Sequence, residues 1–266
     1  LAWTPIMKRD LMRLHSVPEE VVGVTGVPQF DMYSESIVIS KRKEFLKQLG
    51  LDPQKKTILF STSTPWIGFN EPEILNYLAQ CLADNKRLQN VQILARLHPR
   101  DDLLRYQNIN YPNLVFQVPG LPTATQLDER FLDPNYLTLL RDALAYSDLA
   151  INTASTMTLE ATALDKPVVN LAMDIERVNY WSSSQRFYEF NHYLPIVKSG
   201  AVQIARSLDE LIAMILRYLE EPHLEKQERA NLRETMCYKL DGRSAQRVAD
   251  HLFCLLDGKP FSDVFN

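Results

Sequence analysis

The stretch DLAINTASTMTLEATALDKPVVNLA, residues 148–172, decides the fold. DLAINT (148–153) is a short apolar run ending in small polar residues, as expected of a strand buried on both faces that opens into a loop. STMTLEATALD reads as a helix, and PVVNLA (167–172) is a second short apolar run rich in β-branched residues. Strand, helix and strand in such close succession form a crossover unit. Units of this kind build parallel sheets with helices on both faces.

The unit repeats upstream. TILFSTS (57–63) predicts a strand, followed by a helix with Ile74, Leu75, Leu78, Cys81 and Leu82 facing inward. Asn70 with Glu73 three residues on matches a capping box at its start. VQILARLHP (91–99) and NLVFQV (113–118) predict two more strands, with DDLLRYQ opening a helix between them. Residues 119–133 show no period and are expected to form a long loop, functional or mobile. YLTLLRDALAYS then returns to a helix. The fold class for 51–175 is therefore α/β, a doubly wound parallel sheet.

The flanks are plainer. EEVVGVTGVP predicts a brief β run, and residues 34–50 show helical spacing through Ile37, Ile39, Phe45, Leu46 and Leu49 up to Gly50. Beyond 175, AVQIA predicts a last short strand and LDELIAMILRYLEE an amphipathic helix, with further helices near 224–239 and 243–257. Gly242 is placed to end one helix and Ser244 to cap the next. The expected division is 1–33 as a remnant of a preceding domain or linker, 34–222 as the sheet domain, and 223–266 as extra C-terminal helices packing back on it.

Composition excludes several classes. With 45% hydrophobic and 23% charged residues, the chain is not disordered as a whole. A net charge of −4 argues against wrapping nucleic acid or anionic lipid, so no nucleic-acid partner and at most peripheral membrane contact are expected. No apolar run approaches the roughly 20 residues needed to span a bilayer, and the charged N-terminal stretch LAWTPIMKRDLMRLHS is not a signal peptide. A soluble cytoplasmic protein is the expectation, processed or cut from something longer because it lacks an initiator Met. Cys81, Cys237 and Cys254 make no CxxC pair and read as small buried hydrophobes. Neither GxGxxG nor GxxxxGK[ST] occurs, against an ordinary dinucleotide site and a P-loop.

In an open parallel sheet, ligands bind at the carboxyl ends of the strands. The strands deliver Ser61, Thr62, Ser63 and Thr64, then Arg96, His98 and Arg100, then Asn152 through Thr156, then Asn170 and Asp174. NTAST is small and hydroxylated, and a helix start at Ser155 offers unpaired N–H groups to phosphate, with Glu160 one turn on and suited to ribose hydroxyls. The plainer reading has Ser155 or Thr153 as a cap and Glu160 as a dipole-favoured acid. Likewise, Arg100 suits bidentate phosphate binding and His98 donation to a diphosphate, or His98 simply bonds its own loop. His15, His223 and His251 read as structural. Around His192, Phe187, Tyr188 and Phe190 serve either a base or the sheet edge, core packing being favoured.

ASTMTLEATALDKPVV, with its S-x-x-x-L-E-A-x-x-x-x-K-P-V frame, resembles the donor-binding stretch of GT-B glycosyltransferases and their relatives. The frame is similar to those in lipid A disaccharide synthases, CDP-glycerol glycerophosphotransferases and UDP-GlcNAc 2-epimerases. VTGVPQFD (24–31), RLHPRDD and SLDELIAMILRYLEEP resemble further segments of the group, so the likeness covers most of 21–256. It implies a Rossmann-like, C-terminal GT-B half that binds a nucleotide-sugar or related nucleoside-diphosphate donor and transfers a sugar or polyol-phosphate in surface polysaccharide or glycoconjugate synthesis. The diphosphate would lie on Ala154, Ser155 and Thr156 with Ser61, Ser63, Arg96 and Arg100 about it, Glu160 on the ribose, and His98 as the catalytic group. No metal and no cofactor are expected, since no carboxylate pair sits at the phosphate edge. Ser155 stands where relatives commonly carry glycine. Only residues 1–23 precede VTGVPQFD, so an acceptor-binding N-terminal domain is expected to be missing or supplied by a partner subunit, leaving the chain alone with little activity. The alternatives are a hydrolysing UDP-sugar 2-epimerase-like enzyme and a non-catalytic nucleotide-binding or assembly module.

Overall fold

The two lysines before Thr57 end at a run with no exposed residue, Thr57–Ser61, and this run forms the centre of a six-stranded parallel sheet. The computed structural model describes residues 1–34, 41–122, 130–131, 135–176 and 178–259. The strands are β1 (Lys56–Ser61), β2 (Val91–Arg96), β3 (Leu114–Gln117), β4 (Leu149–Asn152), β5 (Val168–Leu171) and β6 (Gln203–Ala205). Their spatial order is β3-β2-β1-β4-β5-β6. The winding direction therefore reverses between β1 and β4, where Ser61 stands opposite both Arg96 and Asn152. β2, β4 and β5 are buried along their whole length, which is why they read as continuous apolar runs.

Helices cover both faces. α3 (Glu71–Asp84) and α7 (Leu208–Glu220) pack Ile74, Leu75, Leu78, Leu211 and Ile215 with Ile58, Phe60, Ile93 and Ile151 of the sheet into one fully buried cluster. α2 (Arg42–Gln48) and α4 (Tyr136–Tyr146) lie together, joined by Phe45 and Tyr146 with ring centres 5.7 Å apart. α5 (Met157–Ala163) follows β4, and α6 (Leu194–Lys198) precedes β6.

By its internal contacts the chain divides into two units, residues 39–229 and residues 1–38 with 230–266. The sheet lies in the first. The second holds α1 (Pro5–His15) and α9 (Ser244–Leu256), while α8 (Lys226–Met236) straddles the division. VTGVPQFD has a physical role in the second unit. The Asp31 carboxylate accepts the N–H groups of Ser244 and Ala245 at 2.8 and 2.9 Å, capping α9. Ser244 is thus the first helical residue and not the expected cap. Gly23 lies so close to the His251 ring that a Cβ there would sit 2.1 Å from Nε2.

Several local expectations are corrected. The β run near 24 reduces to one bridge between Ala2 and Val24, because its partner stretch turns into α1 once Thr4 caps that helix. DDLLRYQ forms only a 3₁₀ turn, Leu103–Tyr106, its side chains being drawn to Asp101. Asn70 is the N-cap residue of α3 but makes no capping bond with its side chain. Cys81 and Cys254 are partly exposed, and Cys237 alone is buried. Of the expected loop at 119–133, residues 123–129 and 132–133 lie outside the described residues, as do Ile37 and Ile39; Leu121–Pro122 and Arg130–Phe131 pair as a short antiparallel ladder. Among the described residues no helix is long and apolar enough to cross a membrane.

Candidate functional site

The reversal of winding leaves the loops after β1 and β4 side by side, and a carboxyl group joins them. Glu71, the first residue of α3, is 1% exposed. It accepts the Ser63 N–H at 2.8 Å and the Thr153 hydroxyl at 2.7 Å. Burial pushes its pKa from the ordinary 4.5 up to about 7, against the opposing pull of those hydrogen bonds and with some help from the negative charge of Asp101. Gly68 makes the approach possible, since a Cβ there would meet Glu71 Oε2 at 2.0 Å. Sequence reasoning missed Glu71. Its only signal was an acid in the first turn of a helix, which fits a surface cap equally well.

The turn after β2 is attached to the same loop. The His98 N–H donates to Thr62 Oγ1 at 2.8 Å, and the Arg100 N–H donates to His98 Nδ1 at 3.0 Å. An accepting Nδ1 puts the proton of the neutral ring on Nε2. Arg100 is exposed. Behind them, Arg105 donates to Asp101 at 2.6 Å and to the Gly68 and Phe69 carbonyls at 2.7 and 3.2 Å, and Tyr106 donates to Asp101 at 2.7 Å. This group staples the β1 loop to the β2 turn.

Arg96 is not part of that assembly. It is buried, donates to Gln117 at 2.6 Å on β3, and lies 4.9 Å from the centre of the Tyr136 ring. The backbone N–H of Ser63 is likewise occupied by Glu71, and its hydroxyl lies 3.4 Å from the Thr153 carbonyl. Ser61 is buried, and its hydroxyl has no hydrogen-bond partner among the described residues.

The turn into α5 is tightly held. Ala154 has φ +24°, and its N–H donates to the Tyr188 hydroxyl at 3.0 Å, which in turn donates to the Leu171 carbonyl at 2.8 Å. Ser155 accepts the N–H of Met157 on its hydroxyl at 3.2 Å and that of Thr158 on its carbonyl at 3.1 Å, so α5 starts at Met157, two residues later than expected. Thr156 is exposed while Glu160, four residues on, is buried. Their i,i+4 spacing would set the two on one helix face, but only Thr156 is open to solvent. Beneath the turn, Asn170 bonds Thr158 at 2.9 Å and Asn152 at 3.2 Å, and accepts from Tyr193 at 2.9 Å.

Asp174 pins the segment that follows β5, accepting from Ser183 Oγ at 2.6 Å and the Ser184 N–H at 2.9 Å. Tyr188 is core, as its hydrogen bonds require, but Phe190 is exposed and Phe187 only partly buried. Phe187 meets Trp66 of the β1 loop edge-on at 6.2 Å, and Phe190 stands between Phe187 and His192. An exposed aromatic group thus flanks the loops at the sheet's carboxyl edge. Among the described residues no three His, Cys, Asp or Glu are grouped to hold a metal ion.

The sheet order is the doubly wound one, with its ligand edge at the β1/β4 reversal. Solved structures share this fold. They include MnaA of S. aureus in complex with UDP (TM-score 0.61, 15% identity, 97% of this chain and 60% of that chain). The wall teichoic acid polymerase TagF matches with TM-score 0.60 and 16% identity, over 97% of this chain and 57% of that chain. WaaG, a glycosyltransferase involved in lipopolysaccharide biosynthesis, matches at 0.51 and 15%, over 94% of this chain and 61% of that chain. All are GT-B fold proteins, and this chain spans about three fifths of the length of each. A search of curated proteins found no match. The family model for CDP-glycerol:poly(glycerophosphate) glycerophosphotransferases matches residues 2–254, and the chain belongs to that family.

Proposed function

We propose that this chain binds a nucleoside-diphosphate donor at the carboxyl ends of β1, β2 and β4 and serves the transfer of a glycerol-phosphate or related group to a growing cell-surface polymer. Family membership over residues 2–254 carries the reading, and it selects transfer over the epimerisation that the same fold also hosts. In glycerol-phosphate transfer, an acceptor hydroxyl attacks the phosphorus bearing the glycerol. The P–O bond to the nucleotide's other phosphorus breaks, CMP leaves, and the hydroxyl proton is lost. Negative charge builds on the leaving phosphate, so the groups that matter are fixed donors at that edge.

His98, with its proton on Nε2, supplies one such donor, and exposed Arg100 two residues on supplies a second. Ser155 and Thr156 supply the turn into α5, with Glu160 on the ribose after a small local opening. Ser61 lies below them, while Ser63, Arg96 and the Ala154 N–H act by holding the edge together through their own partners. The reading needs no metal. Acceptor groups belong to a preceding domain or a partner subunit, and the work is cytoplasmic with at most peripheral membrane contact.

Calorimetric titration with CDP, UDP and GDP tests it. Micromolar binding, strongest for CDP and weakened at least tenfold in Ser155→Ala, Glu160→Ala and Arg100→Ala, is the expected outcome. Absence of binding for all three nucleotides sinks the reading.

A further inference from the structure

We propose that Glu71 is a proton-coupled positioning residue: its carboxyl ties the β1 loop to the β4 loop, and a nucleotide diphosphate binds best to the form in which that carboxyl carries its proton. The proposal rests on the donor-edge reading above.

The geometry comes first. Each carboxyl oxygen is committed to a different loop, Oε2 to the N–H of Ser63 and Oε1 to the hydroxyl of Thr153. Thr62, beside Ser63, holds the N–H of His98, and Ala154, beside Thr153, begins the turn into α5. One buried group therefore sets the spacing of the two loops between which a diphosphate would sit.

Asp101, Arg105 and Tyr106 face Glu71 from the turn after β2, and Tyr188 from the segment after β5. Arg105, the one cation among these, is committed to Asp101 and to two carbonyls. Among the described residues Glu71 has no ion-pair partner. Its ionised form is thus a buried charge held by the Ser63 N–H and the Thr153 hydroxyl, two residues from Ser155 in the bonded network. A diphosphate arriving there adds like charge in a poorly screened place, and like charges raise an acid's affinity for its proton. Because burial already brings the titration near neutrality, both forms are present at pH 7, and ligand binding draws in a proton.

Glutamine mimics the protonated acid here. Its amide oxygen keeps the Ser63 bond, and its NH₂ donates to Thr153 Oγ1. The experiment is CDP titration by calorimetry from pH 6 to 8.5, in two buffers of different ionisation enthalpy, for the wild type, Glu71→Gln and His98→Gln. His98→Gln is included because the imidazole stands at the same edge, its residue bonded to the β1 loop through the backbone N–H on Thr62. The wild type is expected to lose affinity roughly tenfold across this range and to take up protons on binding. Glu71→Gln should bind at the wild type's low-pH affinity with only the part of the pH dependence that His98→Gln abolishes. An unchanged pH dependence in Glu71→Gln overturns the coupling.

Amide hydrogen exchange on Glu71→Ala and Glu71→Gln separates this from failure of the donor reading. Exchange at least tenfold faster in residues 62–70 and 153–156 of the alanine variant, unchanged in α7 and restored in the glutamine variant, supports the positioning role even if no nucleotide binds. Unchanged exchange in the alanine variant removes that role, whatever nucleotide binding shows.

Discussion

The Tyr188 hydroxyl accepts the backbone N–H of Ala154 at 3.0 Å. The same oxygen donates to the Leu171 carbonyl at 2.8 Å, so one phenol ties the end of β5 to the turn after β4 and holds Ala154 at its positive φ. Tyr188→Phe keeps the ring and strands both backbone groups. Leaving buried groups unpaired costs about 1–3 kcal/mol. Urea unfolding should show a lowered midpoint with unchanged slope, and a loss under about 0.5 kcal/mol would mean that other partners replace the phenol.

Glu71 makes stability depend on pH in an unusual direction for a carboxyl group. An acid whose pKa is raised on folding holds its proton more tightly in the folded chain. Its contribution is complete below 4.5 and is lost as pH rises through about 7. The interval corresponds to roughly 3 kcal/mol at 1.4 kcal/mol per pH unit. Denaturation at pH 5, 6, 7 and 8 should show the wild type losing stability relative to Glu71→Gln as pH rises. Parallel curves for the two proteins would contradict the burial-driven titration.

These two residues also show where sequence reading reaches its limit. The strands of 57–63, 91–99 and 148–172 were legible because burial demands continuous apolar runs, which local pattern reveals, and the half-buried edge strand at 113–118 keeps enough of the same pattern to be read. The polar ends of those strands were legible as an edge, and His98 does join it. What local pattern does not carry is side-chain reach across the chain. Glu71 crosses 82 positions to Thr153, and Asp31 crosses 213 to Ser244. Arg96 sits one position inside the edge, where strand alternation and its contact with Gln117 make it part of the core. Glu160 shows the same limit, since i,i+4 spacing says nothing of which side of a seven-residue helix the core lies on.

Under α5, Asn170 links Thr158, Asn152 and Tyr193 in one buried network. Such networks are worth more than their separate bonds. Tyr193→Phe is expected to cost about 1–2 kcal/mol and Asn170→Ala about 2–4 kcal/mol. The double variant should cost clearly less than the sum, with a coupling near 1 kcal/mol in a denaturation cycle. Simple additivity would show that the two side chains act separately.

In the unit formed by 1–38 and 230–266, Gly23 abuts His251, whose ring is buried and bonded through Nδ1 to the Arg247 carbonyl at 2.7 Å. The ring cannot retreat without giving up that bond. Gly23→Ala should therefore destabilise this unit by about 2 kcal/mol or more. Hydrogen exchange should accelerate in α9 before it does in β1 or β4. Uniform acceleration over the sheet, or none in α9, would refute this local clash.

Arg96 and Arg100 stand four residues apart with opposite expected roles. Arg96 is 4% exposed and bonded to Gln117, whereas Arg100 is exposed and gives its backbone N–H to His98. Arg96→Ala takes the donor from the Gln117 side-chain oxygen Oε1 and removes the contact with the Tyr136 ring, at a cost of about 2–4 kcal/mol in stability. Arg100→Ala should change stability by less than about 0.5 kcal/mol, the usual size for an exposed position. Its CDP affinity should fall about 10- to 100-fold, the loss of one charge-assisted contact, and the difference from wild type should shrink as salt is raised. The pair therefore separates holding the edge from binding at it. A stability loss at Arg100 without an affinity loss would reassign that arginine to the scaffold and leave His98 as the edge's remaining donor from the β2 turn.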